Sequence, residues 1–195
     1  MLVAAVLAGC GSQPPRPGAA ALVGHDKISE ASVQARVADF RAQASRLPGN
    51  GPYQDPAGLV SMTVNGMVFS DLVDHALADH QLSVTPGEVA QLRADETQAA
   101  GGEDALERML LLKYAVPAQD IDAYFREQVG LQKLAALGGQ QVATIEGNRT
   151  VNQFLTQAAT ELKVTVNPRY GRWDDQQSVL DQPGEDWLPQ SGAAS

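Results

Sequence analysis

The stretch 67–89, MVFSDLVDHALADHQLSVTPGEV, predicts the end of one long helix and the beginning of the next. Upstream of it, from residue 58 onward, the apolar side chains cover more than one stripe of a helix, which is typical of a helix buried at the centre of a fold. Further along, Thr85, Pro86 and Glu88 form a helix-start signature, in which Thr accepts a backbone N–H and Pro occupies the first helical position. We therefore expect a helical fold built around residues 58–81.

Outward from this stretch, apolar periodicity predicts further helices separated by Gly- and Pro-rich breaks, and strand-like runs near the two ends. Ser29 is placed to cap the first helix, and Asn148 and Thr150 to cap the last. The helix over 103–115 is expected to pack through Leu106, Met109, Leu110 and Leu112. The predicted helices are 29–47, 58–81, 86–101, 103–115, 117–136 and 150–162, and the predicted strands are 20–23 and 164–166.

Charge and cysteine usage exclude several classes of protein. The chain has 195 residues, with 14 Lys and Arg against 23 Asp and Glu, and a net charge of −9. Binding to nucleic acid requires a clustered excess of basic residues, so no nucleic-acid partner is expected. A single cysteine also excludes an internal disulfide framework and a redox pair of cysteines.

The N-terminus offers a role for that cysteine. Residues 1–9 read MLVAAVLAG, which is too short for a membrane span but long enough for the apolar part of an export signal. The segment Leu7, Ala8, Gly9, Cys10 resembles the lipobox of bacterial lipoproteins, which implies a diacylglycerol on Cys10. Because nothing basic precedes Cys10, the true start is expected upstream. The predicted location is extracytoplasmic, with the protein attached to the cell membrane through lipid on Cys10.

The expected organisation has four parts. Residues 1–10 form the signal segment and lipobox, and residues 11–18 contain SQPPRPG, a stiff Pro-rich tether. Residues 19–171 form one helical domain. Residues 172–195 form a polar tail, whose aromatic residues Trp173 and Trp187, like Tyr170 just before it, are expected to pack back on the domain.

Three segments together resemble the N-terminal domain of SurA, a periplasmic chaperone family. Residues 67–89 look like its central helix and the entry to the next helix, and residues 20–28, AALVGHDKI, resemble its opening strand. Residues 164–171, VTVNPRYG, are similar to the closing strand of an actinobacterial lipoprotein branch of the family. The resemblance implies a mainly α, SurA N-terminal-like domain with a small two-stranded sheet that pairs the N-terminal and C-terminal strands. Too little chain follows residue 167 for the family's parvulin domain, so no isomerase activity is expected.

The resemblance also implies a function. Family members hold unfolded or incompletely folded exported polypeptides in an apolar cradle, without covalent chemistry. Such a surface needs adaptable apolar side chains, for which Met is well suited. The candidate polypeptide-binding residues are Met62, Met67, Phe69, Met109, Tyr124 and Phe125. The methionines also fit ordinary core positions, and a structural or adaptor lipoprotein that docks one cell-envelope partner is the alternative function.

Catalytic motifs point away from an enzyme. The sequence has no GxSxG elbow, HExxH pair or Gly-rich phosphate loop with a Lys, so no catalytic residue and no cofactor is expected. Asp71, His75 and Asp79 fall at i, i+4 and i+8 on the central helix, and one face could thus present three metal-compatible ligands. No second histidine joins this stripe, since His80 points elsewhere. A solvated polar face is therefore favoured, and no metal site is predicted.

Overall fold

The computed structural model describes residues 16–47 and 53–181, and this part of the chain is mainly helical, which confirms the predicted fold class. A short 3-10 turn, Ala118–Asp120, precedes α5. Within the described ranges, no helix has both the length and the hydropathy needed to cross a membrane. The helices are α1 (Glu30–Ala44), α2 (Leu59–Asp79), α3 (Pro86–Ala100), α4 (Glu103–Tyr114), α5 (Ile121–Leu137) and α6 (Ile145–Leu162).

A small antiparallel sheet joins the two ends of the domain. Strand β1 (Ala19–Val23) lies between β2 (Asp26–Ser29) and β3 (Thr165–Val166), with Ala21 opposite Val166. The predicted pairing of the N-terminal and C-terminal strands is confirmed, but the sheet has three strands instead of two. The turn between β1 and β2 has only two residues, because Gly24, at a φ of +62°, permits a tight hairpin turn.

Part of the predicted polar tail is ordered against the domain. Strands β4 (Arg172–Asp174) and β5 (Val179–Asp181) form a hairpin. Leu180 is buried, and its backbone N–H donates to Asn65 Oδ1 of α2 at 2.7 Å. Tyr170 is buried and Trp173 packs against the core, as expected, whereas Trp187 lies outside the described residues. Each strand of this hairpin has only three residues and lies among Gln and Asp, so the sequence pattern was too short to predict it.

The helix caps match the sequence signals except at α6. Ser29 caps α1, and Thr85 and Glu88 form the full capping box at α3. Helix α6 begins at Ile145, so the predicted capping by Asn148 and Thr150 is wrong. Thr144 caps it instead, and its Oγ1 accepts from the Gly147 backbone N–H at 3.0 Å. A Cβ at residue 147 would lie 1.9 Å from the Gln141 carbonyl oxygen, so this Gly permits the close approach of the preceding loop.

Two apolar clusters hold the helices together. The central core is formed by β1, α1, α2, α6 and the C-terminal half of α5, around Leu72, Leu134 and Leu155. As predicted, α2 lies at its centre. The satellite core consists of four buried residues, with Val89 and Leu92 of α3 packed on them. The four residues of the satellite core are Leu106, Leu110, Ile121 and Phe125.

Helix α5 connects the two cores. Its first turns supply Ile121 and Phe125 to the satellite core, and its later turns pack closely on α2. At Gly130 an added Cβ would lie 2.9 Å from Leu77 Cδ1 and 3.1 Å from Val73 Cγ1. The lack of a side chain at Gly130 therefore brings the two helices into contact.

Candidate functional site

The six candidate polypeptide-binding residues fall into different environments. Met62 and Met109 are exposed, with relative accessibilities of 42% and 37%. Met67 and Phe69 are half-buried against the central core, and Tyr124 is half-buried against the satellite core. These positions separate accessible residues from structural ones.

Phe125 does not belong to an accessible surface. It is 2% exposed and lies inside the satellite core, one turn after Ile121. The sequence analysis chose Phe125 as a candidate polypeptide-binding residue, and its burial corrects that choice. Aromatic character alone cannot tell which of the neighbouring residues Tyr124 and Phe125 faces inward.

Met62 and Tyr124 meet in one cleft, which we call the α2/α5 cleft. Four residues of α2 line it: Thr63 and, at a spacing of one helical turn, Met62, Gly66 and Ser70. Opposite them lie Tyr124 of α5 and the end of α4 with the loop that follows. The cleft has a volume of about 470 Å³.

Aromatic side chains form one wall of the α2/α5 cleft. The rings of Tyr114 and Tyr124 are 5.9 Å apart between centroids and tilted by 38°. Tyr114 is 45% exposed, so an apolar side chain entering the cleft can reach its ring. Gly66 leaves space on the α2 side of the cleft, because no atom lies within 4 Å of the position that a Cβ would take there.

Polar and charged groups surround this apolar surface. The Arg36 guanidinium pairs with the Asp120 carboxylate at 3.0 Å. Burial raises the pKa of the Glu127 carboxyl to about 7, with a further increase from Asp74 and an opposing effect of Arg36. Near neutral pH, the Glu127 carboxyl is thus protonated in a large fraction of the molecules. A protonated carboxyl both donates and accepts hydrogen bonds, which suits binding to a peptide backbone.

A second apolar surface lies on the outside of α4. Ala105, Met109 and Leu112, at i, i+4 and i+7, are all exposed and form what we call the α4 stripe. The prediction that Met109 and Leu112 pack inward is wrong. Leu111 takes an inward position instead, because the central core lies on that side of the helix while Leu110 faces the satellite core. A run of three leucines contains no local signal for this choice.

A larger concave surface lies between α3, α4 and α5, with a volume of about 1180 Å³. Small and apolar residues such as Val89, Ala90 and Ala94 line it. Its floor is crossed by Arg93, which pairs with both Glu103 and Asp122. These ion pairs place charged groups in the hollow, and none of the six candidate polypeptide-binding residues lines it.

Only part of the polar stripe on α2 stays together. His75 and Asp79 come close to Glu161 of α6, a residue that the sequence analysis did not consider. Asp71 is half-buried near Asp26 and Asp74, and its pKa is raised by burial and by these two carboxylates. Glu161 could not be found from the periodicity of α2, since it comes from another helix.

Comparisons with protein-family models, with curated proteins and with solved structures found no match to this chain. The likeness to the SurA N-terminal domain therefore depends on the sequence segments quoted above, and its functional content is a proposal. Cys10 and the segment before it lie outside the described residues.

Proposed function

We propose that this protein is a lipid-anchored extracytoplasmic chaperone-like protein that binds unfolded or incompletely folded exported polypeptides non-covalently. The observation that carries the proposal is the α2/α5 cleft, where Met62, Tyr114 and Tyr124 leave apolar surface accessible. A flexible thioether beside two aromatic rings adapts to different apolar side chains without a fixed shape. The SurA-like segments and the lipobox-like sequence before Cys10 support the same function and location.

The size of the cleft favours a short segment of polypeptide as its ligand. Pockets that enclose small ligands have volumes of roughly 300–1000 Å³, and the cleft, at about 470 Å³, lies low in that range. It accommodates a few side chains of an extended chain, while the neighbouring α4 stripe offers further apolar contact. The net charge of −9 favours polypeptides that carry basic residues.

Suppression of aggregation tests this proposal. The full chain with Cys10→Ser, which has no thiol to lipidate or oxidise, would be mixed in equal amounts with several unrelated denatured proteins. Light scattering after dilution from denaturant then measures their aggregation. This Cys10→Ser chain is the reference protein, and we expect it to suppress the aggregation clearly at stoichiometric amounts.

Two variants and a matched control connect the effect to the surface. Met62→Gln and Met109→Gln are each expected to weaken suppression about threefold to tenfold, because each removes roughly 1 kcal/mol of apolar contact. Ile145→Gln alters an equally apolar residue that is 75% exposed on α6, away from both surfaces, and should have no effect. Equal aggregation with and without the reference protein would exclude the chaperone function.

The alternative is an adaptor lipoprotein that docks one cell-envelope partner. The polar rim of the cleft, with the pair Arg36–Asp120 and the carboxyl of Glu127, favours it, since specific interfaces combine an apolar centre with polar edges. An adaptor would leave the aggregation of all unrelated denatured proteins unchanged. Suppression of several of them therefore distinguishes the two functions.

A further inference from the structure

Helices α2 and α6 bring one imidazole and two carboxylates to the same point. His75 and Asp79 are one turn apart on α2, and Glu161 lies in the last turn of α6. The distance from His75 Nε2 to Asp79 Oδ2 is 3.5 Å, and that to Glu161 Oε2 is 3.2 Å. We propose that these three residues form a binding site for a divalent transition-metal ion such as Zn²⁺.

The distances between the ligand atoms agree with coordination of a small ion. Imidazole nitrogens and carboxylate oxygens bind Zn²⁺ at about 2.0–2.2 Å, so two ligands at a tetrahedral angle lie about 3.3–3.6 Å apart. Both separations from His75 Nε2 are close to this length, and all three ligand atoms lie within 4.8 Å of one another. An ion can therefore enter with only small side-chain rotations.

Electrostatics at this point favour a cation. Every other ion pair in the described residues has a Lys or an Arg as its cation, whereas neither Asp79 nor Glu161 pairs with one there. Two neighbouring carboxylates repel each other. A bound divalent ion removes this repulsion.

Gln157 orients Glu161 in the way that an outer-shell residue orients a metal ligand. Its Nε2 donates to Glu161 Oε1 at 2.9 Å, which leaves Oε2 directed at His75. Such an outer-shell hydrogen bond holds the carboxylate in the orientation that coordination requires.

The arrangement leaves one side of the ion open. The side chains of His75, Asp79 and Glu161 are 29%, 43% and 44% exposed, so water or an external group can supply a fourth ligand. Three protein ligands with one free position are typical of zinc sites that bind water or an external group. The imidazole favours Zn²⁺ and similar ions over Mg²⁺ and Ca²⁺, which prefer oxygen ligands.

Titration with zinc chloride tests the site. The reference is the full chain with Cys10→Ser, without a histidine tag, so that no thiol or added imidazole competes. Calorimetry is expected to give one Zn²⁺ per chain. In spectra of the imidazole ring nitrogens, Zn²⁺ should shift the signals of His75 and leave those of His25 and His80 in place.

Matched variants separate this site from weak surface binding. His75→Gln and Glu161→Gln should each weaken Zn²⁺ binding at least about tenfold, since even the loss of an outer-shell partner costs that much. His25→Gln and Glu146→Gln, which change an exposed imidazole and an exposed carboxylate elsewhere, should bind like the reference. Circular dichroism verifies that each variant is folded, and Asp79→Asn replaces any variant that is not.

Three results would overturn the proposal. The first is the absence of saturable Zn²⁺ binding by the reference, and the second is equal affinity of the reference and the site variants. The third is binding of Ca²⁺ or Mg²⁺ without binding of Zn²⁺. Because the ion would join α2 to α6, Zn²⁺ should also raise the unfolding temperature of the reference and not that of His75→Gln.

Discussion

The central core and the satellite core are both built from helical leucines, but they are enclosed to different degrees. Helices α1, α2, α5 and α6 and the three-stranded sheet contribute to the central core, whereas the satellite core is covered mainly by α3, α4 and the first turns of α5. Every residue of α3 keeps some exposure to solvent. Thinly enclosed regions open at lower free energy than fully enclosed ones, so the satellite side is the more adaptable half of the molecule.

The α4 stripe and the α2/α5 cleft both adjoin this more adaptable side. The α4 stripe is on the outer face of a satellite-core helix, and Tyr124 of the α2/α5 cleft packs against the same core. Leu110 and Leu111 of α4 face different cores and so connect the two halves. The α4 stripe and the α2/α5 cleft are thereby attached to a rigid centre.

The largest expected effect comes from cavities in the two cores. Leu72 and Leu106 are both fully buried, the first in the central core and the second in the satellite core. Leu72→Ala should lower the free energy of unfolding by about 4 kcal/mol, and Leu106→Ala by about 2–3 kcal/mol, since a thinly enclosed site collapses more easily around a cavity. Urea unfolding measures both values.

Hydrogen exchange sharpens the same comparison. Leu106→Ala should speed amide exchange in α3 and α4 and leave α2 and α6 protected, whereas Leu72→Ala should speed exchange throughout. Uniform acceleration by both substitutions would show that the two cores unfold as one unit.

An intermediate effect is expected at Glu127, which lies in the cleft beside the satellite core. The folded-state pKa of Glu127 is about 7, above its ordinary value of 4.5. The folded state therefore holds the proton more tightly, and its contribution to stability is complete below pH 4.5 and lost as the pH rises through 7. Glu127→Gln should stabilise the protein by about 1–3 kcal/mol at pH 8 and change little at pH 4.

Urea unfolding of Glu127→Gln and of the reference between pH 4 and pH 8 measures this difference. Glu146→Gln changes an exposed carboxyl on α6 and serves as a matched control outside the cleft. A difference between Glu127→Gln and the reference that does not vary with pH would contradict burial of an ionisable carboxyl in the cleft.

The smallest effect is expected at the helix caps. Thr85→Ala removes the capping box of α3 and should cost about 1 kcal/mol, most of it as local fraying of a helix that is only partly buried. Thr150→Ala should cost little, because Thr150 lies inside α6 and its hydroxyl donates to the Glu146 carbonyl oxygen. Thermal unfolding compares the two, and an equal loss would mean that residue 150 has a capping role after all.

Prediction from sequence succeeded where the signal was local. The capping residues Ser29 and Thr85 and the helix stop at Gly101 were read correctly because each depends on the backbone within one turn. The start of α6 was misplaced because Gly147 and Asn148 are poor helix formers, and the loop contact that makes the Gly useful is invisible in the sequence. In the candidate site, the exposure of Met62 could be proposed, but its meeting with Tyr124 could not.

The amino-acid sequence by itself determined the mainly α class, the central position of α2 and the strand segments at the two ends of the domain, whereas the pairing of these strands was implied by the resemblance. Apolar periodicity, caps and strand propensity are properties of short segments, so these features need no knowledge of the rest of the chain. Only the tertiary structure decided which leucines of α4 face inward, where a cleft opens, and that Glu161 joins His75 and Asp79. These features depend on contacts between distant segments, which are selected by packing of the whole fold.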